Sequence, residues 1–243
     1  DEVQDRIYVG AHAGGMMVLH RKSGYIEYYN RHNSNLPSNN IYSIISDGYG
    51  GLWVASLEYL LHFDIDKRNF TIVDVDEDGH KLQQYNRLLF CDSKKRIWAG
   101  GEMGISVFNQ VGTSLLPNTD FQIASVLKQA FVNCFYETSS GYLWIGTRNG
   151  LFALKESDKQ FLQYTTENGL PSNVIYGILE DAYGRLWIST NQGLSCLNPE
   201  SGKFRNFTIM DGLQGNQFNA GAYCRKDNGY MLFGGVNGIT SFR

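Results

Sequence analysis

Several polar side chains of this 243-residue chain return at a fixed distance from a recurring aromatic position. Just beyond each such position stand His12, Glu58-Tyr59, Glu102-Met103, Arg148-Asn149, Asn191-Gln192 and Asn237. Ahead of the positions stand Arg31-His32, Tyr85, Arg87, Gln217 and Asn219. Asn, Gln and Arg bring hydrogen-bond donors and acceptors to hydroxyl edges, and Tyr brings an aromatic face to the apolar side of a sugar ring. Arg31, Arg87 and Arg148 also suit an acidic group, because the guanidinium fork matches a carboxylate. The ligand-binding candidates are therefore Arg31, His32, Tyr59, Tyr85, Arg87, Glu102, Arg148, Asn149, Asn191, Gln192, Gln217 and Asn237.

Catalytic patterns are missing from the same inventory. His12, His20, His32, His62 and His80 form no HExxH or other metal-like spacing, and no GxSxG or P-loop occurs. Asp74-Val-Asp76-Glu-Asp78-Gly79 opens like a calcium loop, but its twelfth position is Tyr85 rather than a bidentate Glu. A solvated acidic loop is the favoured reading of Asp74, Asp76 and Asp78, so neither a metal nor a cofactor is expected. Cys91, Cys134, Cys196 and Cys224 form no CxxC pair and read as unpaired buried thiols, with one disulfide left open.

The frame that positions the candidates is an internal repeat. Gly-Leu-Trp-Val (51–54), Arg-Ile-Trp-Ala (96–99), Tyr-Leu-Trp-Ile (142–145) and Arg-Leu-Trp-Ile (185–188) are flanked by the weaker Arg-Ile-Tyr-Val (6–9) and Tyr-Met-Leu-Phe (230–233). The anchors Tyr8, Trp53, Trp98, Trp144, Trp187 and Leu232 lie 45, 45, 46, 43 and 45 residues apart. Two residues after them stand Gly10, Ala55, Gly100, Gly146, Ser189 and Gly234, all small, which predicts close approach of a neighbouring sheet. Six after them stand Gly14, Gly104, Gly150, Gly193 and Gly238, which predicts turns at positive φ. Tyr59 breaks that rule, and broken local rules tend to mark functional positions. Asp47-x-x-Gly50 and Asp181-x-x-Gly184 predict tight turns capped by Asp.

Each unit thus holds four short strands, near Val174–Leu179, Leu186–Thr190, Leu194–Leu197 and Phe204–Phe207 in the copy around Trp187. Four strands per repeat of about 45 residues, with a Trp signature, is an all-β propeller pattern. The expected layout is a partial blade at 6–30, complete blades at about 39–73, 84–116, 131–164 and 173–208, and a partial blade at 218–243. Either the ends share blades in a six-bladed ring or the chain is an arc of a larger one, and an arc of a seven-bladed ring is the favoured reading. The anchors read as inter-blade core rather than sugar platforms. The sequons Asn69-Phe-Thr71 and Asn206-Phe-Thr208 read as strand residues.

Composition sets the outer bounds. A net charge of −3 lacks the basic excess of a nucleic-acid binder. No apolar run reaches the roughly 18 residues of a membrane span, and the acidic Asp1-Glu2 start is not that of a signal peptide.

The stretch Leu170-Pro-Ser-Asn-Val-Ile-Tyr-Gly-Ile-Leu-Glu-Asp-Ala-Tyr-Gly-Arg-Leu-Trp-Ile-Ser-Thr-Asn-Gln-Gly193 resembles the two-component-regulator propeller repeat, as do Leu36–Ser56 and Thr138–Gly150. Asp211–Asn219 with Phe233–Phe242 is similar to the last blade of that family's sensor region. The resemblance implies the C-terminal part of a propeller region in a Bacteroides-type hybrid two-component system. It further implies the periplasmic part of an inner-membrane receptor that binds oligosaccharide, with a kinase and membrane segments outside this chain. A homodimer is the expected parent assembly, and no nucleic acid is expected as a partner. Two alternatives stand beside this reading: a structural or dimerisation segment with the ligand site elsewhere, and a carbohydrate-active enzyme whose carboxylates meet from different blades.

Overall fold

The computed structural model describes residues 2–3, 5–57, 59–73, 86–118, 126–127, 130–155 and 160–243. Among them are 23 strands in six antiparallel sheets, each a blade of a β-propeller. The chain divides into two compact units, Asp1–Gln129 and Ala130–Arg243.

Unit 1 holds three blades. The first is β1 (Glu2–Val3), β2 (Arg6–Ala11), β3 (Gly15–His20) and β4 (Ile26–Tyr29). The second is β5 (Ile41–Ser46), β6 (Leu52–Ser56), β7 (Leu60–Asp64) and β8 (Asn69–Ile72). The third is β9 (Asn86–Cys91), β10 (Arg96–Gly101), β11 (Gly104–Val111) and β12 (Ser114–Pro117). Unit 2 holds the fourth blade, β13 (Val132–Glu137), β14 (Tyr142–Thr147), β15 (Gly150–Lys155) and β16 (Gln160–Tyr164). Its fifth is β17 (Ile175–Glu180), β18 (Leu186–Thr190), β19 (Gly193–Asn198) and β20 (Lys203–Phe207). Its sixth has three strands, β21 (Phe218–Arg225), β22 (Met231–Gly235) and β23 (Gly238–Phe242).

Six blades stand where the sequence suggests an arc of seven. The first blade, expected with three strands from residue 6, gains a fourth because Glu2 and Val3 pair with Ile7 and Arg6.

Within each unit the core lies between neighbouring blades, where their sheets pack face to face. Tyr8, Met16, Ile41, Val54 and Phe63 pack the first blade on the second, and Trp53, Leu60, Leu89, Ile97 and Phe108 pack the second on the third. Trp144, Leu151, Ile175 and Ile188 do the same between the fourth and fifth, and Leu179, Leu194, Phe218 and Phe233 between the fifth and sixth. The small residues two after the anchors follow from this. A Cβ on Gly10 would stand 2.5 Å from Ile41 Cγ2, and one on Gly146 would stand 2.7 Å from Ile175 Cγ2, each on the next blade.

The turns explain the rest of the frame. Three residues before each anchor the backbone is left-handed in all six blades: Asp5, Gly50, Lys95, Gly141, Gly184 and Gly229 have φ of 60°, 96°, 64°, 81°, 74° and 84°. The geometry is therefore constant even where Gly is not. Gly104, Gly150, Gly193 and Gly238 turn at positive φ as expected, but in the first blade Gly15 does so at 82° instead of Gly14. The β2–β3 turn is one residue longer, so Ala11 pairs with Gly15.

Asp caps at these turns do more than cap. Asp181 Oδ1 accepts the amides of Tyr183 and Arg185 at 2.9 and 3.0 Å, while Oδ2 accepts Arg185 Nε at 2.7 Å and the anchor indole Trp187 Nε1 at 3.0 Å. Asp92 grips Arg96 and Trp98 in the same way. Asp47 holds its turn but pairs instead with buried His62 at 2.8 Å, and Trp53 Nε1 donates to Gln110 of the third blade.

None of the four cysteines forms a disulfide. Cys134 and Cys196 are buried and Cys91 partly so, but Cys224 is exposed, which corrects the expectation of four buried thiols. Cys224 lies on β21, whose blade has no further blade packed on its far side among the described residues of unit 2.

Candidate functional site

The first strand of each blade is the innermost. In unit 2, β13, β17 and β21 pack on one another although they belong to three different blades, and in unit 1 β5 packs on β9. Each of these strands is interrupted near its start by a bulge. The register to the second strand shifts between Ile41 and Ser43, between Val132 and Cys134, between Ile175 and Gly177, and opposite the Gly100/Gly101 step of the third blade. A bulge frees one residue from the ladder and re-aims its side chain. The freed residues are Tyr42, Arg87, Asn133 and Tyr176.

In unit 1 these positions build a cluster. The Arg87 guanidinium pairs with Glu102 of the β10–β11 turn and lies 5.1 Å from the centre of the Tyr42 ring. The Tyr42 ring meets His12 of the β2–β3 turn at 6.3 Å between centroids. Three blades thus bring His12, Tyr42, Arg87 and Glu102 to the end of the strands that carries the second turns. The Arg87 and Glu102 side chains are 41% and 40% exposed. A pair this exposed contributes about 0–1 kcal/mol to stability, so stability is a weak reason for its presence. It presents a forked donor, a carboxylate acceptor and an aromatic face within one patch, which together suit a ligand rich in hydroxyls.

Arg31 and His32 are exposed residues of the link after β4, with backbone amides held by Asn39 and Asn30 side chains. Tyr59 occupies the turn-Gly position, where its carbonyl accepts from Ser56 at 2.9 Å, and its side chain packs against the core between the first two blades. Its departure from the frame is therefore a packing feature. Tyr85, Glu58 and the acidic run Asp74, Asp76 and Asp78 lie outside the described residues. Among the described residues no group of His, Cys, Asp and Glu is placed to hold a metal ion.

In unit 2 the Arg148 guanidinium lies 3.7 Å from the centre of the Phe131 ring, a cation–π contact that fixes it over the link before β13. The Asn149 amide donates to Thr147 Oγ1 and the Gln192 amide to Thr190 Oγ1, so both residues are held through their backbones. Asn191 has a buried Oδ1 without a hydrogen-bond partner among the described residues. The Asn237 amide donates to Gln214 Oε1, and the Gln217 carbonyl accepts from Val236, which ties those two candidates together. Asn133 donates to the carbonyl of Ile175 at 2.8 Å.

Sequence reasoning selected Arg87 and missed Tyr42, Asn133 and Tyr176. A signal was present. These four residues stand eleven before their anchors, at separations of 45, 46 and 43, matching the anchors themselves.

The links that position this end are built alike. Asn39, Asn173 and Asn216 each offer a carbonyl to the turn glycine of the preceding blade, Gly15, Gly150 and Gly193, at 2.7, 2.8 and 2.6 Å. Their side chains accept the amides of Arg31, Thr166 and Ile209. The Leu-Pro-Ser-Asn twins thus staple each link to the turn beside it.

These features place the chain among β-propellers with an irregular innermost strand. Residues 35–58, 127–149 and 169–192 match the family described as two component regulator propeller. Each match runs through a link or the approach to a first strand, that strand with its bulge, and the second strand. The chain therefore carries two-component regulator propeller repeats. It is 29% identical over 191 residues to histidine kinase P4 of Formosa agariphila, a match that covers 75% of this chain and 14% of that protein. Among solved structures it superposes on PorZ of Porphyromonas gingivalis, a surface component of the type-IX secretion system, with a TM-score of 0.77 and 15% identity, covering 100% of this chain and 37% of PorZ. A catalytically inactive virginiamycin B lyase from Staphylococcus aureus, solved with quinupristin, gives a TM-score of 0.71 at 14% identity, covering 98% and 77%. At such identities these two likenesses concern the fold alone.

Proposed function

We propose that this chain is the extracytoplasmic ligand-sensing propeller segment of a hybrid two-component receptor. Its ligand is an oligosaccharide, and the signal passes to a histidine kinase outside the chain. The observation that carries the reading is the convergence of His12, Tyr42, Arg87 and Glu102 from three blades on one end of unit 1, with Tyr42 inside the regulator repeat matched at residues 35–58. The likeness to a histidine kinase supports the kinase connection. On this reading the segment is the periplasmic part of an inner-membrane receptor that works as a homodimer, and ligand binding favours one dimer packing over another.

Calorimetric titration of the receptor's whole sensor region against defined oligosaccharides tests this. Arg87→Ala and Tyr42→Ala should each weaken the bound sugar by about tenfold or more, the loss of one charge-assisted contact or one stacking face. Should both variants bind as the wild type does, the site lies elsewhere and the segment is structural. Cleavage of the sugar during titration would overturn the sensor reading itself.

A further inference from the structure

A second site lies at the other end of the blades in unit 2. A cleft of about 290 Å³ opens between the fourth and fifth blades, walled by the turn that joins β13 to β14 and by the ends of β17 and β19. Along each blade this first turn and the turn carrying Arg148 or Asn191 lie at opposite ends of the second strand. The cleft is therefore separate from the end that carries those two candidates.

Trp144 lines the cleft, is 2% exposed, and its Nε1 finds no hydrogen-bond partner among the described residues. Sister blades show what is missing. Trp98 and Trp187 donate the same N–H to Asp92 Oδ2 and Asp181 Oδ2 at 2.8 and 3.0 Å. Trp144 sits in the same register as Trp187, and its ring rests on Tyr164 (5.9 Å, 27°) as that of Trp187 rests on Phe207 (5.3 Å, 31°). Its N–H therefore points at the head of its own first turn. There the Asp is replaced by Thr138, whose Oγ1 accepts the Tyr142 amide at 3.1 Å and meets Ser140 Oγ at 3.0 Å. Thr138 thus does the work of one carboxylate oxygen, and no second oxygen follows. A buried unpaired donor costs about 1–3 kcal/mol, which a ligand oxygen at that point would recover.

The chemistry of the walls selects the ligand. Tyr142, Trp144 and Tyr164 give aromatic faces, and Ser139, Ser140 and Asn198 give small polar groups. Where the sister blades place Arg96 and Arg185 to balance their carboxylate, this blade has Tyr142, with Lys155 Nζ 5.2 Å from the centre of its ring. Arg185 also borders the cleft, but its Nε is spent on Asp181 at 2.7 Å, and Glu180 and Glu200 stand on the same wall. Glu180 already accepts the Ser139 amide and hydroxyl at 3.1 Å each, which fixes the turn before any ligand arrives.

We infer that this cleft binds a neutral saccharide unit, with a hydroxyl or ring oxygen of the sugar accepting Trp144 Nε1 in the place that Asp181 Oδ2 fills on the next blade. The test follows the four indole N–H resonances of the ¹⁵N-labelled full chain during titration with cellobiose, maltose and laminaribiose, and with a uronic-acid disaccharide as the charged counterpart. The Trp144 resonance should move saturably with a neutral disaccharide. Thr138→Asp supplies the missing acceptor, so it should shift that resonance without ligand and lower the affinity at least about tenfold. Thr138→Asn, uncharged and of similar size, should act in the same direction and keeps the test readable if the Asp variant folds poorly. Arg87→Ala should leave the Trp144 response intact, so failure of this inference and failure of the proposed function are told apart. A Trp144 resonance that stays still with every neutral disaccharide, that moves only with the uronic acid, or that responds equally in the Thr138 variants overturns the inference.

Discussion

Replacing Asp181 tests the physical logic of the repeat. Asp181→Ala removes four hydrogen bonds at once: two from turn amides, one from Arg185 Nε and one from Trp187 Nε1. Tyr183 is exposed and Arg185 partly so, so water replaces part of what their amides and guanidinium lose. The Trp187 indole is partly buried and recovers less. Bonds to a charged group contribute about 1.5–3 kcal/mol each when they stay dry and far less when water competes, so the expected loss is about 2–4 kcal/mol. Asp181→Thr imports the solution of the fourth blade. It should hold the turn, as Thr138 does, but leave the indole unpaired, for a loss of about 1–2 kcal/mol. Burial alone would raise the Asp181 carboxyl. The bonds from Trp187, the two amides and Arg185 outweigh burial and hold it below the ordinary range. A carboxyl depressed in the folded state stabilises above its unfolded pKa of about 4, and that stability drains away as pH falls through the lower folded value. Urea unfolding followed by Trp fluorescence, at neutral pH and then from pH 5 downward, reads both effects. The reasoning fails if Asp181→Ala costs under about 1 kcal/mol, if Asp181→Thr is as damaging as Asp181→Ala, or if the variants keep the wild type's acid sensitivity in full.

Three further outcomes are expected. Gly146→Ala puts a Cβ 2.3 Å from Cys134 Sγ and 2.7 Å from Ile175 Cγ2, so denaturant melts should show a loss of about 3 kcal/mol or more, whereas Gly48→Ala, at φ 76° with nothing within 4 Å, should lose only about 1 kcal/mol. Burial pushes the Cys134 thiol up to about 12, against a bond from the Gly146 amide, while Cys224 is exposed; mass spectrometry after brief maleimide treatment of the native chain at pH 7.5 should find Cys224 modified and Cys134 untouched, and early labelling of Cys134 would contradict the packing. Asn173→Ala removes the acceptor for the Thr166 amide and should cost about 1 kcal/mol in the same melts, with faster hydrogen exchange at Thr166; unchanged exchange would show that the staple is held by the Gly150–Asn173 backbone bond alone.

The frame was legible because it is written in residues with narrow conformational uses. Gly50 and Gly184 disclosed a left-handed turn, whereas Asp5 and Lys95 hold the same φ without the residue that signals it, so the turn was not legible there. The extra residue in the β2–β3 turn was not legible, since Gly14 and Gly15 are adjacent and either suits a turn. The site was legible only in part. Arg87 was chosen from a link and Glu102 from a turn, and they do meet. Tyr42, Asn133 and Tyr176 were passed over because a bulge is a mismatch in count between two strands, and strand propensity does not encode it. Tyr59 was chosen for breaking a rule and proved to be packing, since a large ring at a turn can fold back on the core as readily as face a ligand. The role of Asp181 toward Trp187 needed three dimensions: a spacing of six residues in sequence becomes a hydrogen bond only once the hairpin closes.

The two ends of a blade differ in how much change they tolerate, and the difference is physical. At the first-turn end, one carboxylate serves the turn amides, a guanidinium and the anchor indole, so a substitution must satisfy several partners together. That is why Asp92 and Asp181 keep the same four bonds, and why Thr138, which replaces Asp and comes with Tyr142 in place of Arg, leaves a donor unpaired. At the other end, the bulged residue of the innermost strand has left the ladder. Changing its side chain disturbs no backbone pairing. Tyr, Arg, Asn and Tyr can then occupy one framed position in four blades of the same chain. On the function proposed for unit 1, turns and anchors hold the scaffold while the bulged positions present contacts to the ligand. Specificity for a different ligand would therefore be sought at Tyr42, Arg87, Asn133 and Tyr176, where a new side chain alters what the first strands present without reopening the turn, the anchor or the staple.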